Sequence, residues 1–159
     1  MDSVDEKFMT LALEQASLAF REGEVPVGAV ITLRGEIVSA ARNRCISLSD
    51  PSAHAEILAI REAARKLDNY RLIDTVLYVT LEPCIMCAGA IIQARVQRVV
   101  FGADDPKSGG AVSLYRLFHD KRLNHTVKIA GGVKKEACAE ILSRFFHEKR
   151  ITSNTDSRS

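Results

Sequence analysis

The sequence has no tryptophan and only four prolines, and aromatic side chains make up just 6% of it. Its core must therefore be filled mainly by aliphatic side chains, which a hydrophobic content of 47% supplies. Long apolar runs are missing too. The longest stretch of apolar residues and glycine, Cys84 to Ile92, is nine residues, against the about 20 needed to span a bilayer. The opening MDSVDEKF carries three acids and one lysine rather than a basic and then apolar start, so it does not read as a signal peptide. A soluble cytoplasmic protein with no membrane contact is the expectation. The four cysteines are then better suited to binding metal, reacting or packing than to forming disulfides.

Neither sign of charge dominates: 22 basic residues face 20 acidic ones, and charged residues are 26% of the chain, an ordinary globular share. The balance hides an asymmetry. Residues 1–106 carry a net −4 and residues 107–151 a net +6. A basic second half is the expected footprint of a phosphate-bearing partner, with charges scattered over solvated faces as the alternative. At 159 residues the chain is one domain, long enough to bury roughly 68–70% of its unfolded surface without staples.

Hydrophobic spacing predicts a helix over 5–22, with Phe8, Leu11, Ala12, Ala16, Ala19 and Phe20 near one face. Val27–Leu33 and Glu36–Ala41 read as a hairpin around Arg34-Gly35. Asp50-Pro51 reads as the start of a helix running to about Leu67, with Ala53, Ile57, Ile60 and Ala64 on one face. Strands follow at 75–80, 96–101 and 126–130, helices at 83–95 and 134–150, and at most a short helix at 114–118. The last helix carries a stripe of Ala137, Ile141, Leu142 and Phe145. Residues 152–159, TSNTDSRS, have nothing to bury and are expected to form a disordered polar tail after a domain spanning 1–151. A hairpin followed by alternating helices and strands predicts an α/β fold: a three-layer sandwich around a mixed five-stranded sheet.

The sharpest feature is His54-Ala55-Glu56 followed by Pro83-Cys84-Ile85-Met86-Cys87. Cysteines three apart at a helix start present both sulfurs on one face, where unpaired N–H groups favour thiolates. His54, Cys84 and Cys87 then give a tetrahedral ion three protein ligands and leave one position for water, the pattern of catalytic zinc. Glu56, two residues from His54, does not share a face with it on a regular helix. The ion must look at the helix end-on for both to reach one cavity, with Glu56 an unligated proton carrier. A structural half-site or a redox pair are the alternatives. The first lacks a fourth ligand, because Cys45 and Cys138 belong to no second pair, and the second gives His54 and Glu56 no role.

His-x-Glu with Pro-Cys-x-x-Cys is the signature of zinc-dependent nucleobase deaminases. Over about residues 5–150 the chain resembles the bacterial tRNA-specific adenosine deaminases. The matching stretches are VPVGAV (25–30), ARN (41–43), DPSAHAEILAIR (50–61), NYRLIDTVLYVTLEPCIMCAGAII (69–92), RVVFGADDPKSG (98–109) and FFHEKR (145–150). Cytidine deaminases usually carry Cys where His54 stands, which disfavours that subfamily. The resemblance implies a cytidine deaminase-like fold, one zinc per subunit, a homodimer and hydrolysis of the wobble adenosine of a tRNA anticodon stem-loop to inosine, with no nucleotide cofactor. It implies that Asn43, Asp105, Asn124 and Phe146 contact the substrate and that Val25, Pro26 and Leu81 wall the base pocket. Lys107, Arg144, Lys149 and Arg150 are candidates for holding RNA phosphates. Phe146 lies off the stripe of Phe145, so one ring can pack while the other stacks on a base. Two other functions stay open: deamination of a free base or nucleoside, and a non-catalytic zinc-stabilised RNA-binding module.

Overall fold

The computed structural model describes residues 3–158, with side chains described as far as Ser153. Among the described residues, four α-helices and one short 3-10 turn surround a five-stranded sheet. In chain order these are α1 (Ser3–Arg21), β1 (Gly28–Leu33), β2 (Glu36–Arg42), α2 (Ala55–Leu67), β3 (Thr75–Leu81), α3 (Ile85–Gln93), β4 (Arg98–Ala103), the 3-10 turn Leu117–His119, β5 (Lys128–Ala130) and α4 (Lys135–Arg158). The sheet order is β2-β1-β3-β4-β5; β1 runs antiparallel to both neighbours, while β3, β4 and β5 are parallel. This is the mixed three-layer sandwich that the order of elements predicts.

The central strands are buried on both faces, so alternate residues feed two cores. Ala29, Ile31, Leu77, Val79, Val99 and Phe101 pack against α2 and α3. Val30, Tyr78 and Val100 point the other way, toward Phe8, Met9 and Ala12 of α1 and Cys138 of α4. The hairpin turns at Arg34 (φ 51°) and Gly35 (φ 81°), both left-handed as a two-residue hairpin turn requires. Two glycines let helices approach the sheet. A Cβ on Gly28 would sit 1.9 Å from the Ala12 carbonyl oxygen, and one on Gly102 would sit 2.3 Å from Cys138 Sγ.

Three elements differ from the sequence reading. The helix expected at Asp50-Pro51 begins at Ala55, because Asp50 instead closes a local turn by accepting from the Ser52 N–H (2.8 Å) and hydroxyl (2.7 Å). The buried face of α2 accordingly runs through Ala55, Ala59 and Ala63. In α4 the inward positions are Cys138, Ile141, Leu142 and Phe145, and Ala137 is exposed. The tail expected to be disordered over 152–159 is helical in its backbone as far as Arg158, and Ser159 lies outside the described residues. No glycine or proline follows Gly132 to stop the helix, and the Thr152 hydroxyl donates back to the Glu148 carbonyl (3.0 Å).

Candidate active site

Two helix starts meet at the edge of the sheet. His54 is the N-cap of α2 and Cys84 the N-cap of α3, each with extended backbone. Asn43, just past β2, fixes the first of these ends: its side-chain oxygen accepts from the Ala55 N–H at 2.7 Å. His54 Nδ1 then lies 3.6 Å from Cys84 Sγ and 3.4 Å from Cys87 Sγ. The three donor atoms all fall within 4.8 Å of one another, a group able to hold a metal ion. Cys45 and Cys138 join no such group among the described residues.

Electrostatics follow the geometry. The Cys87 thiol and the His54 ring hold Cys84 down to about 4 against the opposing effect of burial. The hydrogen bond to Cys84, reinforced by burial, pushes Cys87 up, and the bond to Cys84 raises His54. Glu56 is 4% exposed, and burial pushes it up to about 7. It is the second residue of α2, so it and His54 reach the same cavity from the helix end.

That cavity measures about 230 Å³ and is lined by Val25, Asn43, His54, Glu56, Leu81, Cys84 and Asp105, together with Val27, Cys45, Glu82 and Ser108. It adjoins a cleft of about 740 Å³ that shares Val25, Leu81, Asp105 and Ser108 and adds Lys107, Phe146, Lys149 and Arg150. Leu142, Phe146, Lys149, Arg150 and Ser153 form one face of α4 along the cleft. Phe145 is buried, edge-on to Phe20 and to Phe146, and Phe146 is 45% exposed.

Residues 3–150 match the family model of MafB19-like deaminases. The chain is 49% identical over 147 residues to the tRNA-specific adenosine deaminase of Haemophilus influenzae, covering 92% of this chain and 85% of that protein. It is 47% identical over 146 residues to that of Bacillus subtilis, covering 92% and 91%. The chain belongs to the tRNA-specific adenosine deaminases. Among solved structures, the deaminase resembles one from work on A-to-I editing by tRNA:A34 deaminases at the wobble position, with a TM-score of 0.83 and 45% identity over 86% of this chain and 99% of that one. A guanine deaminase from Nitrosomonas europaea has a TM-score of 0.78 at 25% identity, covering 88% and 83%.

Three residues expected at the substrate do not line the deaminase's cavity or cleft. Pro26 is buried, and Val27 lines the cavity instead. Asn124 is exposed on the segment between the 3-10 turn and β5. Arg144 stacks over the Phe20 ring at 5.1 Å, on the side of α4 facing α1. Of the two cysteines that belong to no second pair, Cys45 is half-buried and lines the cavity, whereas Cys138 is buried beneath Gly102. Sequence reasoning missed Glu82, a buried acid whose carboxylate accepts five hydrogen bonds, all from residues 105–113. Burial pushes its carboxyl up, and the donors of Ser113, Val112 and Asp105 overcome that to leave it below the usual range. The signal available was an acid placed between an apolar strand and Pro83.

Proposed function

We infer that this chain hydrolyses the wobble adenosine of a tRNA anticodon loop to inosine and ammonia, with zinc held by His54, Cys84 and Cys87. One observation carries the reading. His54, Cys84 and the buried Glu56 line a cavity sized for a base, with Cys87 Sγ 3.4 Å from His54 Nδ1 behind it, and that cavity adjoins a wider cleft bearing an exposed ring and three cations. A free base has no use for the cleft; a polynucleotide does.

The donors fit zinc. Tetrahedral zinc, about 2.3 Å from sulfur and about 2.0–2.1 Å from nitrogen, sets those donors about 3.6 Å apart; here they stand 3.4 and 3.6 Å apart. When bound, zinc lowers the pKa of water to about 7 and so supplies a nucleophile at neutral pH. Glu56 moves the protons. With a pKa near neutrality it accepts a proton from the attacking water and passes it to the purine ring nitrogen, then carries that water's second proton to the amino group, which leaves as ammonia as the C6–N bond breaks. Val25 and Leu81 flank the base. The Asn43 oxygen is engaged by Ala55, so its NH2 is the end that meets the nucleotide. Asp105 faces the ribose, Phe146 stacks on a flanking base, and Lys107, Lys149 and Arg150 hold phosphates.

Exposed apolar side chains at the start of α3, Ile85 and Met86, and on the loop folded against it, Val112, Leu114 and Tyr115, support a homodimer. Among the described residues no helix is long and apolar enough to cross a membrane. The deaminase domain ends near residue 151. The test is an inosine assay on an anticodon stem-loop, run beside free adenosine and free guanine, with metal measured on the same sample. Inosine from the stem-loop alone and about one zinc per chain is the expected result; turnover of guanine but not of the stem-loop overturns it.

A further inference from the structure

Glu82 has no part in the chemistry above, yet it is a carboxylate 2% exposed at the end of β3. Its backbone N–H donates to the Ala103 carbonyl at 2.9 Å, which seats it beside the end of β4. Its Oε1 accepts from the Asp105 N–H at 3.0 Å and from the Ser113 hydroxyl. Its Oε2 accepts from the N–H groups of Ala111 (3.1 Å), Val112 (2.8 Å) and Ser113 (3.0 Å). Four backbone donors and one hydroxyl from a single loop thus converge on one side chain. An apolar residue at position 82 would leave those inward N–H groups without acceptors, and an ionised carboxylate is the acceptor that serves the most donors.

The loop is wound tightly around this group. A Cβ on Gly109 would sit 2.3 Å from Glu82 Oε2, so position 109 has no room for one. The Gly109 N–H donates to the Asp105 carbonyl at 2.9 Å. Asp105 Oδ1 in turn accepts from the N–H groups of Lys107 (3.1 Å) and Ser108 (3.2 Å). One buried carboxylate therefore fixes Asp105, and Asp105 fixes the two residues after Pro106. All three side chains line the cleft, and Asp105 and Ser108 also line the cavity.

We propose that Glu82 is a positioning residue for polynucleotide recognition, holding the 104–113 loop so that Asp105, Lys107 and Ser108 stand at the mouth of the cavity. This rests on the tRNA reading above. Glu82 acts on how well the stem-loop is held, not on the bond-breaking groups below it.

Steady-state kinetics of the zinc-loaded enzyme on an anticodon stem-loop test this. Glu82→Gln puts an NH2 against N–H donors and is expected to raise KM ten-fold or more, while kcat changes less than three-fold and zinc content holds. A merely structural loss would lower the active fraction, and with it kcat, at unchanged KM. Because Glu82 works through Asp105, the double variant with Asp105→Asn should have a KM within two-fold of the worse single variant. Should Glu82→Gln fail to fold, Ser113→Ala removes one donor and is expected to raise KM two- to five-fold with the same non-additivity. A KM within two-fold of wild type in both variants, or effects that multiply fully with those of Asp105→Asn, overturns the proposal. If the wild-type enzyme makes no inosine from the stem-loop, the substrate reading fails and this proposal with it. Turnover with KM indifferent to position 82 removes the proposal alone.

Discussion

A carboxyl group buried at the second position of α2 is pulled two ways. Burial raises its pKa, while its own backbone N–H and then the His54 ring draw it back, and the result near 7 suits the proton transfers proposed for it. Glu56→Ala leaves His54, Cys84 and Cys87 intact. It is expected to keep full zinc content and a wild-type melting curve while losing roughly 10²- to 10⁴-fold in kcat, measured as inosine formed under single-turnover conditions. Full activity in that variant removes Glu56 from the mechanism. This residue was legible because its spacing from His54 makes sense only at a helix end. Asn43 was half legible. Its place in ARN (41–43) marked it as a substrate contact, but its bond to the Ala55 N–H joins positions twelve apart with no local pattern between them. Glu82 was legible only as an acid between an apolar strand and Pro83, since its partners lie 23 to 31 residues away on a loop whose path the sequence leaves open.

Among the elements, α1 is tied to the sheet by more than apolar packing. Asp5, 4% exposed, accepts from both terminal nitrogens of Arg98 on β4 (2.9 and 2.7 Å) and from the Tyr78 hydroxyl on β3 (3.0 Å). The Arg98 bond holds its carboxyl below the ordinary 3.8, against the opposing effect of burial. A depressed folded-state pKa contributes stability that is whole above 3.8 and is lost as pH falls through the folded value. Asp5→Asn is therefore expected to cost about 1.5–3 kcal/mol in urea melts at pH 7. The gap to wild type should narrow once pH drops below the ordinary carboxylate range; a gap independent of pH sinks the ion-pair account. At Gly28 the constraint is space. Gly28→Ala drives a methyl into the Ala12 carbonyl and is expected to destabilise by about 1–3 kcal/mol or more in the same melts. Local rules found the hairpin because Arg34-Gly35 carries its own turn chemistry. They misplaced the start of α2 because Asp50-Pro51 looks like a start, while the cap that decides comes from β2's end. They misaligned the α4 stripe because Ala137 and Cys138 are both small and apolar, and only the sheet beneath Gly102 distinguishes them.

For the molecule as a whole, the charge asymmetry along the chain becomes an asymmetry in space. Lys107, Lys149 and Arg150, all from the basic second half, stand along the cleft, and Asp104 and Asp105 are the acids among its lining residues. Sequence spacing alone could not separate these cations from Arg144, which lies about one and a half turns before Lys149 and Arg150 on α4 and is occupied by the Phe20 ring. The distinction makes a quantitative prediction. Each phosphate contact on a single strand releases counterions and contributes about −0.7 to the slope of log K against log salt. Replacing Lys149 and Arg150 together by Ala should weaken stem-loop binding and flatten that slope by about 1.4. Arg144→Ala should leave the slope unchanged, because its guanidinium faces α1 rather than the cleft. Fluorescence anisotropy of a labelled stem-loop between about 50 and 200 mM salt reads both. Equal slopes for all three proteins would assign the basic half to solubility, and flattening by Arg144→Ala alone would put the RNA on the α1 side of α4, away from the cavity that holds Glu56.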